Sequence, residues 1–338
     1  MTNGYRIKLR LAPLARSLPL MVLSAVAGTT VANADSTPSN DTPLDVVVTI
    51  GMIGDVVKNV GGDCVTVTAL MGPGVDPHLY QASARDVQAF RDAQVIFYSG
   101  YTLEGQLGDV LERFSETKPT VAVSPASIPP EELITVQDGS GNDPHLWMDA
   151  GLWSRIVPTI AGTMTELRPD CGDAIEANAA SYAAQLAALD DWVHESVATI
   201  PEDRRTMITA HDAFAYYGRA YGIDVVGIQG ISTEAEASVA DIRETADMVA
   251  ELGVPAVFVE TTINPRTMQA VIDAARQGGH DVEIGGELYS DAMGDDGTAS
   301  GTYIGMIHSN TVHIVDALGG TVPPLPDALA GWAEQWNL

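Results

Sequence analysis

Short apolar runs rich in β-branched residues alternate with amphipathic runs over the first half of the chain. The apolar runs predict strands at 46–50, 65–70, 95–98 and 120–123. The amphipathic runs predict helices at 52–60, 84–92, 107–114 and 152–167. This alternation is typical of a parallel sheet that is covered by helices.

An Ala-rich segment at 175–197 follows, and its composition favours one long helix between Pro169 and Pro201. A helix of about 25 residues is about 37 Å long, which exceeds the width of a small lobe. After this segment the alternation restarts. The second half predicts strands at 206–209, 224–228, 256–260 and 282–284, and helices at 214–221, 239–252, 265–277 and 303–318.

Together these elements predict an α/β fold of two lobes, each with a parallel sheet flanked by helices, joined by one long rigid helix. We expect an N-terminal lobe at 35–170, the connecting helix at 171–200 and a C-terminal lobe at 201–338. Ligands of open α/β sheets bind beyond the carboxyl ends of the strands. The cleft between the lobes is therefore the expected binding site.

The N-terminal segment 1–34 is basic, contains no acidic residue, and has an apolar run at 18–31. It ends in Ala32-Asn33-Ala34, a small-x-small cleavage pattern. These features predict a signal peptide that is cleaved on export to the periplasm. The alternative is a membrane anchor, but the run is shorter than the roughly 20 apolar residues of a span. No Cys follows the run, so we expect no lipid anchor at this end.

Acidic residues far outnumber basic ones, with 45 Asp and Glu against 17 Lys and Arg and a formal net charge of −28. Such a surface repels nucleic acid and anionic lipid headgroups, which excludes nucleic acid as a partner. The two cysteines, Cys64 and Cys171, are expected to form one disulfide in an oxidising compartment. Two buried free thiols are the alternative. Neither Cys has ligand spacing to a His, so both are excluded from a metal site.

The tripeptide Asp-Pro-His occurs at 76–78 and at 143–145, and a His-Asp pair follows at 211–212. Each His lies in the loop of a segment whose sequence pattern predicts a strand, a loop and a helix. All three therefore lie on the same kind of sheet edge, where His78, His145 and His211 can converge. Three imidazoles with one carboxylate describe a site for a divalent transition metal.

The fourth ligand is expected in the Gly-rich stretch at 285–298. By residue type alone, four acids there qualify: Glu287, Asp291, Asp295 and Asp296. Glu104 and Glu260 are candidates to accept an imidazole N–H behind the ligands. Trp147 is expected beside the cleft, and Asp212 at the N-cap of the helix at 214–221. The remaining histidines are interpreted as structural or surface residues: His194, His280, His308 and His313.

Five motifs give the sequence a specific resemblance: DPHLY, NDPHLWMD, TAHDAFAYYGRAYGI, GIQGISTEAEAS and GGELYSDAMG. They resemble the metal-binding solute receptors of ABC importers, the zinc and manganese family called TroA-like or ZnuA-like. The resemblance runs from about residue 45 to 318. It implies the two-lobe fold and the ligand set His78, His145, His211 and Asp291.

The resemblance also implies the function. A monomeric receptor would capture Mn²⁺ or Zn²⁺, with Fe²⁺ as a third candidate, and deliver it to a permease in the inner membrane. Members with Glu at the position of His211 are mostly manganese receptors. Many zinc receptors carry a His-rich loop before the second ligand, and residues 131–142 here contain no His. A dedicated zinc role is therefore not favoured.

The ligand chemistry suits both metals. Imidazole nitrogen favours zinc, while a carboxylate that binds through one or two oxygens also suits manganese. By the Irving–Williams order we expect zinc to bind more tightly than manganese. Because imidazoles bind metal only when neutral, we expect affinity to fall steeply below a pH of about 6.

Three other functions fit parts of the sequence. An exported zinc hydrolase would keep an open coordination position and a general base, but the sequence has neither HExxH nor a G-x-S-x-G before a helix. An adhesin on the same fold would require surface exposure. A periplasmic metal buffer would differ from a receptor only in never meeting a permease.

Overall fold

The computed structural model describes residues 42–136 and 141–338. The predicted signal peptide at 1–34 and most of the tail at 35–43 lie outside the described residues. Strand and helix alternate as the hydrophobic pattern predicts. No helix among the described residues has both the length and the apolar character to cross a bilayer.

The strands lie close to their predicted positions. They are β1 (Leu44–Ile50), β2 (Val65–Met71), β3 (Val95–Tyr98), β4 (Thr120–Ala122), β5 (Thr206–His211), β6 (Asp224–Gln229), β7 (Ala256–Glu260) and β8 (Glu283–Leu288). The α-helices of the first half are α1 (Gly51–Gly61), α2 (Ala84–Asp92), α3 (Gly108–Ser115), α4 (Val123–Ser127), α5 (Ala150–Trp153) and α6 (Ile156–Leu167). The long helix and those after it are α7 (Gly172–Ala198), α8 (Ala215–Tyr221), α9 (Val239–Leu252), α10 (Arg266–Gln277), α11 (Tyr303–Ala317) and α12 (Ala330–Trp336).

Strand pairing is parallel in both halves of the chain. The first sheet has the order β2-β1-β3-β4, and six of the seven residues of its central strand β1 are buried. This explains why β1 has a nearly continuous apolar sequence, as strands covered on both faces do. In the second half β5 pairs with β6 and β7 with β8, and β5 lies beside β7. The predicted class, two α/β lobes with parallel sheets flanked by helices, is confirmed.

Helix α7 is the predicted long helix. Its 27 residues span about 40 Å at 1.5 Å per residue. It packs against α1 and α6 of the first lobe and against α8 and α11 of the second. Its buried residues recur at helical spacing, including Ile175, Tyr182, Leu186, Leu189 and Val193. The division of the chain into lobes at 170 and 200 stays a prediction.

Several element boundaries differ by a few residues from the sequence prediction, and the short helices α4 and α12 were not predicted. The helix predicted at 152–167 is two helices, α5 and α6, which are broken at Ser154 and Arg155. Strand β8 ends at Leu288, four residues later than expected, which brings the sheet edge closer to Asp291. Strand β5 ends at His211, and the backbone N–H of Asp212 still donates to the carbonyl of Gln229 on β6.

The prediction that Asp212 caps the next helix is therefore wrong. Helix α8 begins at Ala215, its N-cap residue is Phe214, and no side chain caps it. Asp212 belongs to the end of the β5–β6 ladder, so it lies too early in the chain to reach the first turn of α8.

The predicted disulfide is present. Cys64 and Cys171 are bonded, with their Cα atoms 6.3 Å apart. The alternative of two free thiols is wrong. Cys64 directly precedes the amino end of β2, and Cys171 is the N-cap of α7. The bond therefore fixes the start of the long helix to the edge of the first sheet that is opposite to its carboxyl ends.

Removing this disulfide should lower stability without changing ligand binding. The bond closes a loop with a sequence separation of 107 residues. Loop-closure entropy predicts a loss of about 3–5 kcal/mol in the free energy of unfolding for the Cys64→Ser/Cys171→Ser protein. Guanidinium unfolding of oxidised wild type and variant would measure the loss. Equal unfolding midpoints would contradict it.

Candidate metal centre

The two Asp-Pro-His tripeptides adopt the same local structure. The backbone N–H of His78 donates to Asp76 Oδ1 at 2.9 Å, and that of His145 donates to Asp143 Oδ1 at 2.9 Å. An Asp side chain that binds the backbone two residues later forms an Asx turn, and the intervening Pro stiffens it. The repeat therefore has a structural reason, because each Asp fixes the backbone that carries a His.

Carboxylates also orient two of the imidazole rings. Asp143 Oδ1 lies 2.7 Å from His145 Nδ1. Glu260, the last residue of β7, contacts Nδ1 of His211, and its other oxygen accepts the backbone N–H of His211 at 2.9 Å. In both rings Nδ1–H donates outward, which leaves Nε2 as the nitrogen that faces the centre.

Four ligand atoms converge between the sheet edges. His78 Nε2 lies 3.3 Å from His145 Nε2 and 3.7 Å from Asp291 Oδ2. Asp291 Oδ1 lies 3.2 Å from His145 Nε2, and Oδ2 lies 3.3 Å from His211 Nε2. A tetrahedral zinc site with bonds of about 2.0–2.1 Å separates its ligand atoms by about 3.4 Å. The measured separations are close to this value, and the four ligand atoms all lie within 4.8 Å of one another.

The cluster lacks the hydrogen bonds that buried polar groups normally make. Both carboxylate oxygens of Asp291 and Nε2 of His211 have no hydrogen-bond partner among the described residues, although they lie close together. Electron pairs that face one another across 3.2–3.3 Å repel unless a cation lies between them. The arrangement therefore calls for a cation between the groups, and either a metal ion or protons on the imidazoles can supply it.

Burial separates Asp291 from the other candidate acids. His145 and His211 are 0% exposed, Asp291 is 2% exposed and His78 is 4% exposed. The other three acids of the Gly-rich stretch, Glu287, Asp295 and Asp296, are exposed. Trp147 is buried, and its ring lies edge-on to that of His145 with the centroids 5.3 Å apart, a contact that the sequence did not predict.

The carboxylates set the protonation of the metal-free cluster. Burial favours the neutral form of His145, but Asp143 and Asp291 outweigh it and raise the pKa of His145 to about 9. Burial is likewise outweighed at His211, whose pKa is raised well above its usual value by Glu260 and Asp291. His78 has only Asp291 close enough to oppose burial strongly, and its pKa is lowered to about 4. The imidazoles in turn hold the pKa of Asp291 well below its usual value against burial.

Two glutamates, Glu104 and Glu260, were expected to accept an imidazole N–H, and only one of them does. Glu260 accepts an imidazole N–H as expected, whereas for Glu104 the expectation is wrong. The carboxylate of Glu104 is buried and binds Thr49, at 2.7 Å, and the backbone N–H groups of Ser99 and Gly100. It therefore ties β1 to the loop after β3, away from the imidazole rings.

Sequence reasoning missed two supporting residues. Asp143 is one of them. It could have been found from the sequence, because both Asp-Pro-His tripeptides place an Asp two residues before the candidate ligand. Gly227 on β6 is the other, because a Cβ there would lie 2.5 Å from the backbone nitrogen of Asp212. A glycine in an otherwise apolar strand was the signal for this close approach.

The remaining histidines lie elsewhere, as interpreted from the sequence. His194 is exposed on α7, and His308 stacks on Trp192 with ring centroids 5.0 Å apart. His280 Nε2 contacts the carbonyl of Val254 at 3.0 Å, and His313 Nδ1 contacts that of Glu287 at 3.2 Å. None of the four reaches the cluster.

Fold and site together define a two-lobed α/β metal-binding protein, and comparison with known proteins specifies its family. Residues 46–317 match the family described as "Zinc-uptake complex component A periplasmic". The chain is 43% identical over 304 residues to the manganese-binding lipoprotein MntA of Bacillus subtilis (strain 168), which covers 90% of this chain and 99% of MntA. It is 42% identical over 299 residues to the zinc-binding protein TroA of Treponema pallidum (strain Nichols), which covers 88% of this chain and 96% of TroA.

Solved structures agree with this assignment. The periplasmic zinc-binding protein TroA of Treponema pallidum matches with a TM-score of 0.80 at 43% identity, covering 82% of this chain and 99% of TroA. Fe(III)-bound YtgA from Chlamydia trachomatis matches with a TM-score of 0.75 at 26% identity, covering 83% and 100% of the two chains. The chain belongs to the zinc-uptake complex component A family. It is therefore the binding component of an uptake system and not an enzyme.

Neutralising either outer carboxylate should weaken metal binding. In Asp143→Asn and Glu260→Gln proteins the ring loses a charged acceptor for Nδ1–H, so Nε2 becomes a poorer donor. We expect each change to raise the dissociation constant for Zn²⁺ about 10–100-fold. Competition with a chromophoric chelator measures this constant, and Glu287→Gln, an exposed acid near the same edge, is the matched control. Equal losses in all three proteins would contradict the assignment.

Because the pKa values of His145 and His211 are raised, metal affinity should begin to fall at a higher pH than the sequence alone predicts. A metal ion must displace the proton that His145 holds below a pH of about 9. Apparent affinity should therefore fall as pH falls from about 9, by about ten-fold per unit for each proton displaced. His78, with its pKa of about 4, contributes nothing in this range. Zinc titrations from alkaline to mildly acidic pH test this, and a level affinity above pH 6.5 would contradict it.

Proposed function

We propose that this protein is an extracytoplasmic receptor that captures one divalent transition metal ion and delivers it to the permease of an ABC importer. The observation that carries the proposal is the convergence of His78, His145, His211 and Asp291 on one point, with their lone pairs facing inward. Such a group has no stable arrangement in a buried place without a cation. Family membership then makes that cation the cargo of an uptake system.

Either Zn²⁺ or Mn²⁺ is the proposed cargo, and Fe²⁺ fits the same ligands less specifically. The relatives named for manganese and for zinc are almost equally similar to this chain. Three imidazole nitrogens favour zinc in affinity, while the Asp291 carboxylate can supply a second oxygen to the larger Mn²⁺. We infer that zinc binds more tightly in vitro and that supply decides the cargo in the cell.

We further propose that the receptor works as a monomer in the periplasm after cleavage of residues 1–34. The small-x-small site and the preceding apolar run support cleavage. The proposed working units are the lobes at 35–170 and 201–338 on the helix at 171–200. Helix α7 supports this division, because it packs against helices of both halves.

Replacing a single ligand should abolish tight binding. Asp291→Asn and His211→Ala each remove one donor from the cluster, so we expect losses beyond the about 10–100-fold caused by changes to outer partners. Elemental analysis and competitive titration with Zn²⁺ and Mn²⁺ would measure stoichiometry and rank the metals. Asp295→Asn, an exposed acid four residues further on, is the matched control.

Two outcomes would overturn parts of this proposal. Absence of stoichiometric metal in the wild type, or binding that survives both substitutions, would reject the four-ligand site. Metal-loaded protein that fails to drive uptake in vesicles containing its permease would leave a metal buffer as the function. Hydrolysis of peptide, ester or phosphate substrates by the loaded protein would instead favour the enzyme.

A further inference from the structure

A cavity of about 530 Å³ opens directly beside His78. Its wall comes from four segments, namely the loops after β2, β3 and β6 and the stretch just before His145. The lining residues are His78, Thr102, Gly105, Val136, Gly141, Asn142, Pro144, Gly230, Ile231, Ser232 and Glu234. His78 is the metal ligand among them, so the cavity reaches the centre through this imidazole.

Two further observations make His78 the accessible ligand. Its exposure of 4% is the largest of the four, whereas His145 and His211 are at 0%. Gly105 places its Cα against the loop of His78, because a Cβ there would lie 2.9 Å from the His78 carbonyl oxygen. Gly105 therefore lies close to the backbone of the His78 loop in the wall of the cavity.

The other cavity that borders the His78 loop does not reach a ligand. A second cavity of about 410 Å³ is lined by Asp76, Leu79 and residues after β6 and β7, and none of the four ligands lines it. Two of its lining residues are joined by a hydrogen bond of 2.6 Å from Thr233 Oγ1 to Asp76 Oδ2. Since Asp76 also fixes the backbone of His78, opening this side would disturb the ligand itself.

The size and charge of the first cavity indicate what it admits. Six waters of a hydrated divalent ion occupy about 180 Å³ at about 30 Å³ each, so the ion fits with its hydration shell. Hydroxyl, amide and backbone groups of Thr102, Asn142 and Ser232 can replace shell waters. Among the described lining residues, Glu234 is the one acid, and there is no Lys or Arg. Such a wall attracts a hydrated cation and repels an anionic metal chelate.

We propose that this cavity is the chamber through which the metal enters and leaves, and that it admits the free hydrated ion but not an anionic chelate. The proposal rests on the receptor function argued above. The incoming ion exchanges its first water for Nε2 of His78 and then reaches the three buried ligands. Release follows the reverse order, so an external anionic chelator captures metal only after it has left.

Filling the chamber should slow exchange in both directions. Ser232 is exposed on its wall, so Ser232→Trp narrows the passage without touching a ligand. We expect association and dissociation rates of Zn²⁺ to fall together by about ten-fold or more, with the dissociation constant unchanged within about two-fold. Asn264→Trp, an exposed position on the second cavity, is the matched control and should leave both rates unchanged.

Replacing the acid of the chamber, Glu234, by a basic residue should allow an anionic chelator to enter the chamber. In the wild type we expect the rate of zinc transfer to EDTA to be independent of EDTA concentration. In Glu234→Lys the rate should rise with EDTA, and association of Zn²⁺ should slow several-fold at low salt. Glu236→Lys makes the same charge change two residues away, on the second cavity, and should behave as the wild type.

The outcomes separate this proposal from the function on which it rests. Tight zinc binding with equal exchange rates in the Ser232 and Asn264 variants would overturn the route alone. A wild-type transfer rate proportional to EDTA concentration, or equal behaviour of the Glu234 and Glu236 variants, would overturn the exclusion of chelates. A wild type that binds no metal would overturn the receptor function and the route with it.

Discussion

The structure depends on one constraint: four electron-pair donors are buried facing each other, and only a cation makes that arrangement stable. A buried carboxylate without hydrogen bonds costs several kcal/mol in most proteins, and Asp291 has none among the described residues. Asp143 and Glu260 enforce the constraint, because they take the Nδ1–H groups of His145 and His211 and turn Nε2 inward. With metal bound and both outer carboxylates counted, the cluster is slightly negative, which holds a divalent ion without excess charge.

The fold keeps these groups in place by joining rigid elements. His211 and Glu260 end the adjacent strands β5 and β7, so their contact follows from the sheet and not from flexible loops. Asp55 on α1 adds a buried junction, since its carboxylate accepts from Tyr182 on the long helix at 2.5 Å and from the backbone N–H of Tyr303. One side chain thereby connects the first lobe, the connecting helix and the start of α11. Ligands from both halves then meet at a fixed separation.

Much of this could be predicted from the sequence, because strand periodicity and the repeated Asp-Pro-His are local signals. The strand positions, the long helix, the disulfide and the clustering of three histidines at sheet edges all follow from such signals. The contact between Glu260 and His211 was one of two alternatives, since only the pairing of β5 with its neighbours distinguishes it from Glu104. Asp212 was misassigned because the end of β5 is set by its partner Gln229, which a single segment does not reveal.

The three imidazoles are not equivalent, because the two deeper rings have a carboxylate partner on Nδ1 and, among the described residues, the ring beside the open cavity does not. His145 and His211 each have a carboxylate on Nδ1, which strengthens Nε2 as a donor, whereas the carboxylate of Asp76 is engaged by the backbone of His78 and by Thr233. Burial lowers the pKa of His78, and the nearby carboxylate of Asp291 does not offset it. The weakest base is also the ligand that lines the open cavity. In the proposed route, His78 is the ligand that faces the chamber, so its bond to the ion is the first to be exchanged for water.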